Sequence, residues 1–296
     1  MKKFDISTDS TCDLYKSEIV ENGIYFLPLK FTLEKNGVVT EYADEFSDMS
    51  EYKEYYKTLR SGVLSRTSMN NPDVHYVHFK KMAEAGVKTA IHFTISYGLC
   101  RTVDVARDAV KEVKKEFPDF RCLCVECSTT TIGQGMLVWI ALDMQKKGKT
   151  VEETFDYVEK IKHNIQHFVV ADDLSYLVRG GRLSAAKATI GSILNVKPII
   201  VFNKEGKLVN YRKEKGMRKT LKSIADEFAK YSLNKDYPEI YIGHTDNEEA
   251  AETLKDILHE KYGLTPIVRM IGPVIGSHLG PGTVAYIFLS NEERPL

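Results

Sequence analysis

The sequence is short of several things. It has one tryptophan, nine prolines and five cysteines in 296 residues. All five cysteines (Cys12, Cys100, Cys122, Cys124 and Cys127) fall in the first half. An odd count without an export signal argues for free thiols. Cys124-x-x-Cys127 lacks the second ligand pair that a structural zinc site needs. Cys122 and Cys124 alternate along a predicted strand, so they share a face as buried thiols. No apolar run approaches the ~18 residues of a membrane span. The N-terminus turns polar at once and has no signal-peptide core, so a cytosolic chain is expected. An excess of one charge is missing too: Lys+Arg and Asp+Glu are both 41. Without a global basic field, nucleic acid is not an expected partner and any anion binding must be local. Common enzyme signatures are absent. There is no Gly-x-Ser-x-Gly, no Walker A sequence, no His-Glu-x-x-His and no Gly-x-Gly-x-x-Gly.

What remains is an ordinary core-forming composition, 43% hydrophobic and 28% charged. The first half alternates strand and helix. Strands are predicted at Phe4–Ser7, Thr89–Ser96 and Arg121–Cys127, with an extended stretch at Tyr25–Leu33. Helical spacing marks Met49–Leu59, Val103–Phe117 and Met136–Gln145. Such units imply a parallel sheet covered by helices, with ligands at the carboxyl ends of the strands. A further helix carries Val151, Phe155, Val158, Ile161 and Ile165 on one face and links the halves. The second half predicts strands at Val196–Phe202, Lys207–Tyr211, Glu239–His244, Thr265–Ile271 and Thr283–Leu289. A hairpin turn at Asn203–Gly206 fits between the first two. Helices carry Leu221, Ile224 and Phe228, then Leu254, Ile257 and Leu258. The expected fold is α/β in two domains. Residues 1–165 form a parallel α/β unit, and residues 166–296 form an α+β unit with a mixed sheet. The ligand lies between them, and residues 62–80 pack with the second unit.

The most informative stretch is Asp173–Ser184, in which Arg179 and Arg182 flank Gly180-Gly181. Arginine grips carboxylate or phosphate with paired hydrogen bonds, and glycine permits close backbone approach. A helix-like stretch, Ser184–Leu194, follows, and a helix N-terminus attracts anions. Solvated arginines at a helix-end turn are the plain alternative. Four polar clusters fall at element ends: Asp9–Asp13, Thr67–Pro72, Thr94–Gly98, and Ser277–Gly282 within a Gly-rich loop from Gly272. Their hydroxyls and backbone N–H groups suit a small anion, though each cluster is also a capping or turn sequence. His278 is a candidate base or nucleophile, with a hydrogen-bond donor as the plain alternative.

In this order, the clusters resemble the DegV family of bacterial fatty-acid-binding proteins. The matching stretches are Thr8–Leu14, Thr67-Ser68, Thr94–Ser96, Asp173–Ser184, Gly191–Pro198 and Gly272–Gly282. The last three together are highly specific. The resemblance implies a two-domain carrier, not an enzyme, with no cofactor. It implies a long-chain acid such as palmitate, whose carboxylate is held by Thr67, Ser96 and His278. Arg182, Arg179, Ser68, Tyr97, Arg101 and Ser277 are then expected near the head group or facing a partner. That partner is a separate ATP-dependent fatty acid kinase, with transient membrane contact as a further interaction. Tyr97 replaces the family's second serine and Arg101 a glycine, which points to a bulkier, charged rim. The competing reading is an enzyme for a small keto or phosphorylated substrate working through His278, as in the architecturally related dihydroxyacetone-kinase substrate domain.

Overall fold

Strand follows helix through the first half as the apolar spacing predicts. The computed structural model describes residues 2–183 and 195–296. Along the chain these form β1 (Asp5–Asp9), α1 (Lys16–Glu21), β2 (Tyr25–Leu27), β3 (Lys30–Lys35), β4 (Val38–Ala43), α2 (Met49–Arg60), β5 (Leu64–Ser68), α3 (Pro72–Glu84), β6 (Thr89–Thr94), α4 (Thr102–Glu116), β7 (Arg121–Glu126), α5 (Ile132–Lys146), α6 (Val151–Ile161), β8 (Ile165–Val170), α7 (Ser175–Arg179), β9 (Val196–Phe202), β10 (Leu208–Lys215), α8 (Met217–Glu227), β11 (Ile240–His244), α9 (Glu248–Tyr262), β12 (Ile267–Met270), α10 (Pro273–Leu279) and β13 (Val284–Leu289). The helix-like stretch Ser184–Leu194 lies outside the described residues.

Strands β2-β1-β6-β7 form a parallel sheet. Alternate residues serve opposite faces. Ile91, Phe93 and Val125 pack with Leu137, Ile140 and Val158 from α5 and α6. Ala90, Cys122 and Cys124 pack with Phe79, Val103 and Val113 from α3 and α4. The two cysteines do share a buried face. The second sheet has the order β10-β9-β8-β13-β11-β12 and is mixed, with β11 and β12 parallel and the other pairs antiparallel. One face packs Phe168, Ile199, Val201 and Tyr286 against α8 and α9. The other turns Val169, Ile200, Ala285 and Ile287 toward α5. The expected two-domain α/β architecture, a parallel sheet and a separate mixed sheet, is present.

Several local expectations change. Tyr25–Leu33 is not one strand. It divides at Pro28 into β2, in the parallel sheet, and β3, which joins β4 and β5 in a small antiparallel sheet. The linking helix stops at Ile161, and Ile165 opens β8. Every residue of β8 is buried, so no alternation marked it as a strand. Gly272–Gly282 is not a loop throughout. Pro273 begins α10 at a position where its missing N–H costs nothing. The Asn203–Gly206 turn holds as expected, with Asn203 N donating to Lys207 O at 2.9 Å and Gly206 at φ +70.

Candidate functional site

An apolar cavity with about 810 Å³ of empty space, its open mouth included, lies between the two sheets. Ile95, Leu99, Val169, Leu177, Ile200, Phe202, Ile271, Ile275 and Leu279 supply much of the wall. Polar positions on it include Thr11, Thr67, Ser68, Thr130, His167, Arg182 and His278. The cavity therefore suits a long apolar body with few polar features.

One polar end is built where β5 meets α10. Thr67 Oγ1 and His278 Nε2 are 2.7 Å apart. Behind them Ser65 and Ser277 hydroxyls are 2.7 Å apart, and Tyr55 Oη reaches Ser277 at 2.9 Å and the Pro273 carbonyl at 3.0 Å. This buried knot fixes the strand to the helix. Burial, helped by the nearby Arg182 charge, pushes the His278 imidazole down to about 4. The ring is therefore neutral at pH 7. At the start of α10 the Gly272 N–H donates to Asp13 Oδ1 at 2.9 Å, and burial pushes that carboxyl up to about 7.

The Arg-Gly-Gly-Arg segment closes α7. Arg182 N donates to Leu177 O at 2.9 Å and Gly181 N to Val178 O at 3.0 Å. With Gly181 at φ +71, this is the helix-ending pattern that favours glycine. Gly180 answers a different demand. A Cβ there would collide with His278 Nδ1 and lie 3.0 Å from Cε1. The first glycine thus makes room for the histidine and the second turns the chain. Arg182 lies on the cavity wall, its guanidinium donating to Gly180 O at 2.6 Å. Arg179 is exposed and stacks over Tyr176 at 4.6 Å.

The other expected residues are distributed as follows. Ser68 is on the wall and exposed. Ser277 belongs to the knot behind His278. Ser96 is fully buried. Its hydroxyl donates to Gly206 O at 2.7 Å and accepts from Gly98 N at 3.2 Å, and the described cavity wall does not include it. Tyr97 and Arg101 stack on each other at 5.0 Å on the surface, with Arg101 also paired to Asp104. Asp9 does the local work of a cap, accepting from Thr11 N at 3.0 Å. His167 and Thr130 escaped the sequence reading as site residues. His167 sits in the unanticipated β8, and Thr130 in the polar run between β7 and α5. In the structure Ser128 and Thr131 adopt φ of +56 and +53, unusual for residues with side chains.

Comparison with known proteins follows this geometry. A family model described as "Uncharacterised protein, DegV family" matches residues 3–291. A DegV domain-containing protein of Clostridium perfringens is 36% identical over 296 residues, covering 100% of both chains. A solved fatty-acid-binding DegV family protein of Thermus thermophilus superposes with TM-score 0.81 at 26% identity, covering 98% of this chain and 100% of that one. A DegV family structure from Ruminococcus gnavus, with vaccenic acid, gives TM-score 0.84 at 19% identity, covering 97% and 100%.

Proposed function

The chain belongs to the DegV family, and from that premise we propose that its cavity holds a long-chain fatty acid such as palmitate, with the carboxylate at the Thr67–His278 end. The observation that carries this reading is a largely apolar cavity with a neutral Thr–His pair on its wall. Burying ~15 methylenes at ~0.8 kcal/mol each supplies about 12 kcal/mol before ordering and association costs. The head group need not bind strongly. In this reading His278 Nε2–H donates to Thr67 Oγ1, and the Thr67 hydroxyl donates to the carboxylate. Arg182 supplies a positive charge close by. Ser96 braces the Gly206 turn instead of gripping the acid.

Neutral donors leave a carboxylate oxygen with free lone pairs. We assign the chain the role of a cytoplasmic carrier that presents this oxygen to a separate fatty acid kinase. There it attacks the γ-phosphorus of ATP, a P–O bond forms, and ADP leaves. The exposed Arg179–Tyr176 and Arg101–Tyr97 stacks are the proposed partner-facing features. Met69, 44% exposed on the cavity wall, offers an apolar threshold for an acid arriving from a membrane. The division of the chain near residue 165, with 62–80 clasping the second unit, is part of the same proposal. A histidine held near 4 accepts protons poorly at neutral pH, which favours the carrier over catalysis by His278.

Native mass spectrometry of the protein from a heterologous host tests the binding. A co-purifying C14–C18 acid is expected, and Thr67→Val should lower palmitate affinity about tenfold. An empty protein that takes up no acid on titration sinks the reading.

A further inference from the structure

The cavity wall carries polar groups besides the Thr67–His278 pair. Thr130 and His167 both lie on its wall, and both are more than nine-tenths buried, at 7% and 2% exposure. Thr130 Oγ1 and His167 Nδ1 have no hydrogen-bond partner among the described residues. The other imidazole nitrogen is committed, with Nε2 2.6 Å from Thr129 Oγ1. The ring is held in place: it packs on Phe202 at 5.0 Å, and Gly133 leaves no more than the space it fills. Burial keeps the imidazole neutral, pushed down to about 3.

Orphaned polar groups on a largely apolar wall, Thr131 Oγ1 and His278 Nδ1 being others, are costly unless something in the cavity meets them. A saturated hydrocarbon chain does not. A hydroxyl does, because it donates and accepts. If Nδ1 carries the proton, a hydroxyl oxygen accepts it. If Nδ1 carries the lone pair, the hydroxyl donates to it. Thr130 can take either complementary role. Both groups stand on elements other than those that carry the Thr67–His278 pair. Thr130 comes from the turn before α5 and His167 from β8, whereas Thr67 and His278 come from β5 and α10.

We propose that the preferred ligand is a fatty acid carrying a hydroxyl along its chain, recognised by Thr130 and His167. This rests on the fatty-acid reading of the same cavity and specifies it. A site built to hydrogen-bond a substrate hydroxyl discriminates strongly against the analogue lacking it, because the orphaned groups then stay unpaired.

The test compares stearic acid with a set of monohydroxystearic acids that differ in the substituted carbon, in competition for the intact protein by native mass spectrometry. At least one isomer should bind about tenfold more tightly than stearate. In Thr130→Val, a near-isosteric change, the ratio of hydroxy-acid to stearate affinity should fall about tenfold. In His167→Phe it should fall likewise, and if that variant does not fold Thr130→Val decides alone. Stearate binding as well as every isomer overturns the proposal while leaving the fatty-acid reading intact. So does a preference that survives Thr130→Val. Binding of no acid at all overturns both.

Discussion

Gly180→Ala sets two physical effects against each other. Gly180 has φ −73 and ψ −8, helical values that alanine adopts readily. On backbone grounds alone, alanine should stabilise the chain by about 0.5–1 kcal/mol. Its surroundings oppose this. The added Cβ would stand 3.0 Å from His278 Cε1 and 3.2 Å from the Tyr176 carbonyl oxygen, and would run into Nδ1 itself. Comfortable carbon contacts are about 3.5–4.0 Å, so the ring must retreat. It cannot do so and keep the 2.7 Å approach to Thr67. Overpacking of this kind costs about 1–3 kcal/mol, and the lost hydrogen bond about 0.5–1.5 kcal/mol. The clash should win, giving a net loss of about 1–3 kcal/mol in urea unfolding. Palmitate affinity, read by calorimetry, should fall about 5- to 30-fold as the pair separates. Gly181→Ala is the control. Its φ of +71 strains any side chain, but nothing lies within 4 Å of the new Cβ. It should lose about 1–2 kcal/mol of stability and keep its affinity. A Gly180→Ala protein at least as stable as its parent, with unchanged affinity, would refute the argument.

Other outcomes follow from the same geometry. Ser96→Ala leaves the Gly206 carbonyl unpaired, so it should cost about 1–3 kcal/mol in thermal unfolding with little change in palmitate affinity. A tenfold affinity loss at unchanged stability would return Ser96 to the carboxylate. Arg182→Ala should slow acyl-phosphate formation by a fatty acid kinase more than it weakens fatty-acid binding, and equal losses would make Arg182 a plain ligand contact. Acid should destabilise the fold. Burial pushes His75, His78 and His278 down to about 4 and His167 to about 3, and holds His92 well below the ordinary histidine value. Each folded value lies below the ordinary 6.5, so the unfolded chain takes up protons first, and stability present above about pH 6.5 drains away as pH falls toward 4. Burial pushes Asp9, Asp13 and Asp44 up, which works in the opposite sense, because their contribution is lost as pH rises, for Asp13 through about 7. The lowered histidines, His163 and His244 among them, outnumber the raised Asp carboxyls, so the unfolded chain holds the more protons between pH 6.5 and 5 and stability falls with pH there. Urea midpoints that do not fall between pH 6.5 and 5 would contradict this.

The parallel sheet was readable because its helices keep an apolar stripe and its strands end in polar turns. The Arg-Gly-Gly-Arg turn was readable as a special backbone, but not its purpose, since only the fold reveals that Gly180 faces His278. Two elements were hidden for opposite reasons. Strand β8 is buried throughout and lost the alternation that identifies strands. Helix α10 was masked by glycines that tertiary neighbours demand. At Gly276 a Cβ would collide with Tyr56, and at Gly280 with the Tyr176 ring. His167 disappeared along with β8. Thr67 and His278 were legible through family resemblance, but their direct pairing depends on a strand and a helix about two hundred residues apart in sequence.

Strand β13 is the last strand among the described residues, yet it lies inside the second sheet, between β8 and β11. It also brings Ala285 to the cavity wall. A nascent chain that has not yet delivered Val284–Leu289 therefore has two sheet fragments, each with an open edge. The second sheet, and the cavity wall it supplies, cannot be completed before this segment is in place. Completion of the sheet and closure of the cavity wall thus become one event, and a chain stalled short of it is exposed to aggregation.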